Sequence, residues 1–114
     1  MKPVCSELGY WHEKKYLSEL FNSTNFDGLS PVTQVKAICF TGDKCILSVK
    51  KDGGLIFPGG GIEEGEVFED TLRRELVEEA SLKLVDFGPS CYLKVTKLVD
   101  PQVVSYHIRF WGEV

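Results

Sequence analysis

Glu75, Glu78 and Glu79 stand three and four residues apart in a segment whose apolar side chains recur at helical spacing: Phe68, Leu72, Leu76 and Ala80. On a helix of 3.6 residues per turn these carboxylates share one face, within an arc of roughly 100°. Like charges at such spacings destabilise a helix. At about 6 Å and an effective dielectric near 20, each pair repels by roughly 3 kcal/mol at the upper end. A divalent cation turns that cost into binding, and clustered hard oxygen ligands suit Mg2+ or Mn2+ better than zinc. The alternative is a solvated acidic face, partly compensated by Arg73 and Arg74. The helix dipole speaks against it, because Glu78 and Glu79 lie at the helix end where negative charge is disfavoured.

A glycine-rich turn stands immediately upstream. Pro58 and Gly59, Gly60 and Gly61 allow unusual torsions and a close approach of backbone to a ligand. From Gly60 the chain reads G-x5-E-x7-R-E-x-x-E-E, with Glu66, Arg74, Glu75, Glu78 and Glu79 in register.

This stretch resembles the signature of the Nudix hydrolases, G-x5-E-x7-R-E-U-x-E-E-x-G-U with U aliphatic. All specified positions match but one: Ser81 stands where the family has glycine. Glycine there would cap the helix in a left-handed conformation, and serine makes that cap less favourable by roughly 1 kcal/mol. The resemblance implies an α/β fold, an α/β/α sandwich on a mixed β-sheet. It also implies Mg2+-dependent hydrolysis of a nucleoside diphosphate linked to another moiety, by attack of water at phosphorus. By this carry-over Glu78 and Glu79 are metal ligands with the Gly59 carbonyl nearby, and Glu75 is a ligand or the base that activates water. Arg74 orients the carboxylates, and Glu66 braces the loop against the helix. Family members usually continue past the strand that ends here, so the sandwich is expected to lack its usual C-terminal part. A function from another class is a metal- and nucleotide-binding regulatory module without turnover.

The 114 residues bound one domain with a modest core, of ordinary globular composition. The net charge of −4 is local, because eight of the 17 acidic residues lie between Gly60 and Leu82. No basic patch points to duplex nucleic acid, and no apolar run reaches membrane-spanning length. Cys5, Cys39, Cys45 and Cys91 have no C-x-x-C spacing and read as buried reduced thiols of a cytoplasmic protein.

Two units are expected along the chain: an N-terminal helix with its linker, 1–31, packed on the core, and the catalytic domain, 32–114. The spacing of Leu17, Leu20 and Phe21 predicts a helix over Tyr10–Asn22. This helix, or a second copy of the chain in a homodimer, is expected to cover the sheet face opposite the acidic helix. Val32–Phe40 reads as a strand with Val35, Ala37 and Cys39 on one face. Cys91–Val99 reads as another, with Leu93, Val95 and Val99 inward, followed by an Asp100-Pro101 turn. On the last strand Val104, Tyr106, Ile108 and Phe110 share one face. His107, Arg109 and Trp111 share the other, as candidate contacts for a base and a phosphate.

Overall fold

The computed structural model describes residues 1–99 and 101–114; Asp100, half of the expected turn, lies outside the described residues. Nine strands and one helix follow in order: β1 (Cys5–Trp11), β2 (Lys14–Phe21), β3 (Val32–Thr41), β4 (Lys44–Ile46), β5 (Ser48–Val49), β6 (Leu55–Ile56), β7 (Gly59–Gly61), α1 (Phe68–Ala80), β8 (Asp86–Lys97) and β9 (Val103–Glu113). The main sheet runs β1-β2-β8-β9-β3-β4, with β7 paired to β3. Only β3 and β9 pair in parallel, which makes the sheet mixed. Register shifts between Val32 and Gln34 on β3, and between Pro89 and Cys91 on β8, add local twist.

One face of the sheet packs on α1. Val35, Ala37 and Cys39 of β3 and Ile108 and Phe110 of β9 meet Leu72 and Leu76 of the helix, with Leu84 completing the cluster. Leu72 and Leu76 are 0% exposed, so truncating either to alanine costs about 2–5 kcal/mol. Ala80, the expected end of the stripe, is exposed, and Thr71 is buried beside Leu72 instead. At the helix start the Val67 N–H donates to Asp70 Oδ2 at 3.3 Å. At its end Ser81 takes φ 53°; its N–H donates to the Val77 carbonyl at 3.0 Å, and the Leu82 N–H donates to the Leu76 carbonyl at 3.1 Å. The left-handed cap expected at this position is present, with serine carrying it.

The N-terminal segment corrects the expectation of a helix. Tyr10 to Asn22 spans the end of β1, a turn and all of β2. His12 and Glu13 make that turn with φ of 49° and 63°, the positive pair that a two-residue hairpin needs. β2 then pairs with β1 on one side and with β8 on the other. From Tyr16 to Phe21 every residue of β2 is half-buried, so the strand lacks the clean polar–apolar alternation of a sheet with one solvated face. Leu17, Leu20 and Phe21 therefore matched a helical spacing by coincidence. Phe21 stacks on Tyr92, with ring centroids 5.1 Å apart.

Leu93 and Val95 turn toward the face opposite α1, away from the helix-covered core, and Val99 lies beyond the end of β8. Among the described residues α1 is the single helix, so one helical layer of the expected sandwich is seen. The same helix is too short and polar to cross a membrane. The four thiols are free, but only Cys39 is buried, whereas Cys5 and Cys45 are exposed. Burial pushes the Cys39 thiol up to about 11, which leaves it inert.

Candidate active site

The glycine turn is fixed by what its neighbours leave no room for. β7 runs antiparallel to β3, with Gly59 opposite Lys36 and Gly60 opposite Val35. Gly59 has φ 147°, and a Cβ there would lie 2.2 Å from the Val35 carbonyl oxygen. At Gly60 a Cβ would fall 2.5 Å from Glu75 Oε1. Only glycine lets the strand lie this close to both β3 and the acidic helix.

Arg74 gathers the acidic side chains. Its Nε donates to Glu66 Oε2 at 2.7 Å and its Nη2 to Glu66 Oε1 at 2.9 Å. Nη1 reaches Glu75 Oε1 at 2.9 Å and Glu78 Oε2 at 3.2 Å, and Nη2 also donates to the Gly61 carbonyl at 3.0 Å. Glu66 Oε1 accepts two more hydrogen bonds, from the Glu63 N–H at 2.8 Å and the Thr71 hydroxyl at 3.0 Å. The Arg74 guanidinium, helped by these donors, holds the Glu66 carboxyl down at about 2. The same partners push Arg74 up, so its charge is permanent. Glu66 therefore ties the loop before the helix to the helix itself.

Glu79 is held from the other side. Its Oε2 accepts from the Gly59 N–H at 3.2 Å and from the Ser48 hydroxyl at 3.1 Å. Among the described residues no three acidic, His or Cys side chains converge closely enough to hold a metal ion as they stand. The charge balance still suits a cation. One guanidinium lies within ion-pair distance of Glu63, Glu66, Glu75 and Glu78 together, with 3.5 Å to Glu63. Carboxylate oxygens in excess beside a backbone turn are a donor set for a hard divalent ion.

Two cations lie beyond Glu79, and the nearer, Lys36, feels its charge. Lys36 and Arg109 are register partners on the parallel β3/β9 ladder, on the face opposite α1. Burial lowers the Lys36 ammonium, Arg109 lowers it further, and Glu79 partly restores it. The Arg109 guanidinium lies 5.5 Å over the Phe57 ring, and its buried Nε has no hydrogen-bond partner. Lys36, Arg109, Phe57, Leu47, Leu55 and Ile56 enclose a cavity of about 390 Å³. Two like charges with an unused buried donor form a place for an anion.

The NUDIX domain matches residues 31–113, most of the sequence. The chain belongs to the NUDIX domain family. Its fold is similar to the crystal structure of a mutant of the Bacillus subtilis pyrophosphohydrolase BsRppH, with a TM-score of 0.67 and 21% sequence identity. That alignment covers 99% of this chain and 63% of the other, so the chain spans less than two thirds of the structure it matches. No curated protein matches the sequence.

Within this NUDIX domain, Glu66, Arg74, Glu75 and Glu78 come together in one hydrogen-bonded cluster. Glu79 sits beside Gly59, and Gly60 lies under Glu75. The three candidates on β9 share a face but not a cavity. Arg109 lies in the cavity beside Lys36, and His107 opens on a second, larger groove. Trp111 rests against Gly88, where a Cβ would lie 2.6 Å from its Nε1, outside both. Sequence reading missed Lys36 and Ser48. Lys36 had a legible signal, since a lysine on a strand apolar on both faces demands a partner.

Proposed function

We propose that this NUDIX domain hydrolyses a nucleoside diphosphate linked to another moiety, with a divalent cation, Mg2+ or Mn2+, held by Glu75, Glu78 and Glu79 and the Gly59 carbonyl. The observation that carries this reading is the charge interaction of Glu79 with Lys36, which links the carboxylate-bearing helix to the Lys36–Arg109 pair. A pyrophosphate needs negative oxygen ligands to share a cation and positive side chains to neutralise its remaining oxygens. Glu79 and Lys36 bring the two within reach of each other's charge.

Bound at these carboxylates, a divalent ion supplies charge against the phosphate oxygens and acidifies water. The chain's own residues supply the rest. Arg74 fixes Glu75 and Glu78 in position, and Gly59 and Ser48 fix Glu79. Glu75, the least exposed of the three, serves in this reading either as a further ligand or as the base that takes a proton from water attacking phosphorus. Lys36 and Arg109 bind phosphate oxygens, with the Arg109 Nε offering an unused donor. Phe57 supports the guanidinium plane.

The test is turnover with Mg2+ across a panel of nucleoside diphosphate derivatives, with product identification. The reading requires cleavage at a phosphoanhydride bond in at least one of them. A protein that gains melting temperature from metal and nucleotide but releases no product would be a binding module instead.

A further inference from the structure

A groove of about 730 Å³ crosses the sheet face opposite α1, from Gln34 and His107 toward the N-terminal hairpin. Its inner end is the rung Gln34–His107, which precedes the rung Lys36–Arg109 by two residues on the same face. At the rise of an extended strand these rungs lie about 7 Å apart, so the groove begins where the phosphate-binding side chains end. Leu93, Val95 and Val103 make an aliphatic floor, and Trp11 and Tyr16 of the hairpin form the outer wall. Those rings meet edge to face, 6.2 Å between centroids. Trp11 is 66% exposed, so its ring face is open to a ligand in the groove.

Gly9 keeps this wall open. It pairs with Tyr16 across the hairpin, and a Cβ placed on it would meet nothing within 4 Å. Its φ is not positive, so the backbone does not demand glycine there. A side chain at this position would project into the groove. The inner end is polar but uncharged: burial, and then the charges of Lys36 and Arg109, lower the His107 imidazole. A neutral imidazole beside the Gln34 amide can donate to and accept from neutral hydroxyl and base-edge groups.

We propose that this groove receives the nucleoside of the substrate, the sugar over Gln34 and His107 and the base against Trp11 and Tyr16. The assignment rests on the hydrolase reading only in taking Lys36 and Arg109 as phosphate ligands. Flat aromatic bases stack on such walls irrespective of sequence, which makes the groove a selector for nucleosides over other diphosphates rather than for one base.

Calorimetric titration of the full chain in EDTA separates the groove from metal and from turnover. The probes are the four nucleoside 5′-monophosphates and ribose 5-phosphate. Stacking makes the nucleotides bind about tenfold to a hundredfold more tightly than the sugar phosphate. Gly9→Leu, which fills the groove, and Trp11→Ala, at an exposed side chain, each erase that preference while leaving ribose 5-phosphate affinity intact. Equal affinity of the wild type for nucleotides and sugar phosphate would overturn the inference, as would a preference that survives both variants. A nucleotide preference without turnover of any diphosphate supports the groove and removes the hydrolase. Turnover with the same kcat/KM on nucleoside and non-nucleoside diphosphates does the reverse.

Discussion

Arg74 and Glu66 meet fork to fork, with two hydrogen bonds of 2.7 and 2.9 Å, while the same guanidinium reaches Glu75 and Glu78 through Nη1. One side chain thereby sets both the loop before α1 and two of the carboxylates on it. Lysine keeps the charge and loses the planar fork. Arg74→Lys is expected to weaken Mg2+ binding by about tenfold to a hundredfold, the usual effect of removing a group that orients a ligand. Titration calorimetry checks this; unchanged affinity would show that Arg74 is a structural ion-pair partner only.

Glu66 makes stability depend on acid pH. Its folded value of about 2 lies below the ordinary 4.5, so the unfolded chain binds the proton more readily. Its contribution is fully present above pH 4.5 and is lost as pH falls from there toward 2. Urea midpoints measured across this window should fall more steeply for the wild type than for Glu66→Gln. Parallel profiles would contradict the role assigned to this carboxylate.

Ser81 holds a left-handed conformation, φ 53°, at the end of α1. Glycine takes that conformation without a Cβ penalty. Ser81→Gly is expected to raise unfolding free energy by about 1 kcal/mol. Urea unfolding decides, and a stability equal to or below the wild type would mean that the side chain contributes more than the cap costs.

The acidic signature was legible because its spacing is a property of one helix and the turn before it. Local sequence sets that geometry: Glu66, Arg74, Glu75 and Glu78 fall together, while Glu79 turns to Gly59 and Ser48. The N-terminal hairpin was not legible for the opposite reason. β2 takes its half-buried state from β1 and β8, and β8 lies far downstream in the sequence. Its turn also uses His12 and Glu13 in place of the Asn-Gly that would have announced it. The Lys36–Arg109 pair likewise depends on the parallel register of β3 with β9, which no local pattern states. Trp111 was grouped with Arg109 by alternation alone, and alternation does not say where along a strand a cavity ends.

The hairpin turn offers its own test. Replacing His12 and Glu13 together by Asn and Gly suits the positive φ at both positions and should raise the melting temperature. Deleting residues 1–22 should instead uncover the β8 edge and the Tyr92 ring, and produce aggregation. A truncated chain that stays monomeric in sedimentation, with an unchanged melting temperature, would contradict the packing described.

The central claim is that Glu75, Glu78 and Glu79 carry metal-dependent hydrolysis. Glu78 is the carboxylate to change, because it is exposed and its one polar contact among the described residues is with Arg74 at 3.2 Å, so the fold does not depend on it. Product release from the best substrate of the panel is measured with Mg2+ for the wild type and Glu78→Gln. The account predicts a loss of more than about a hundredfold, larger than the effect of a group that only orients a ligand. Equal rates in the two proteins would contradict it.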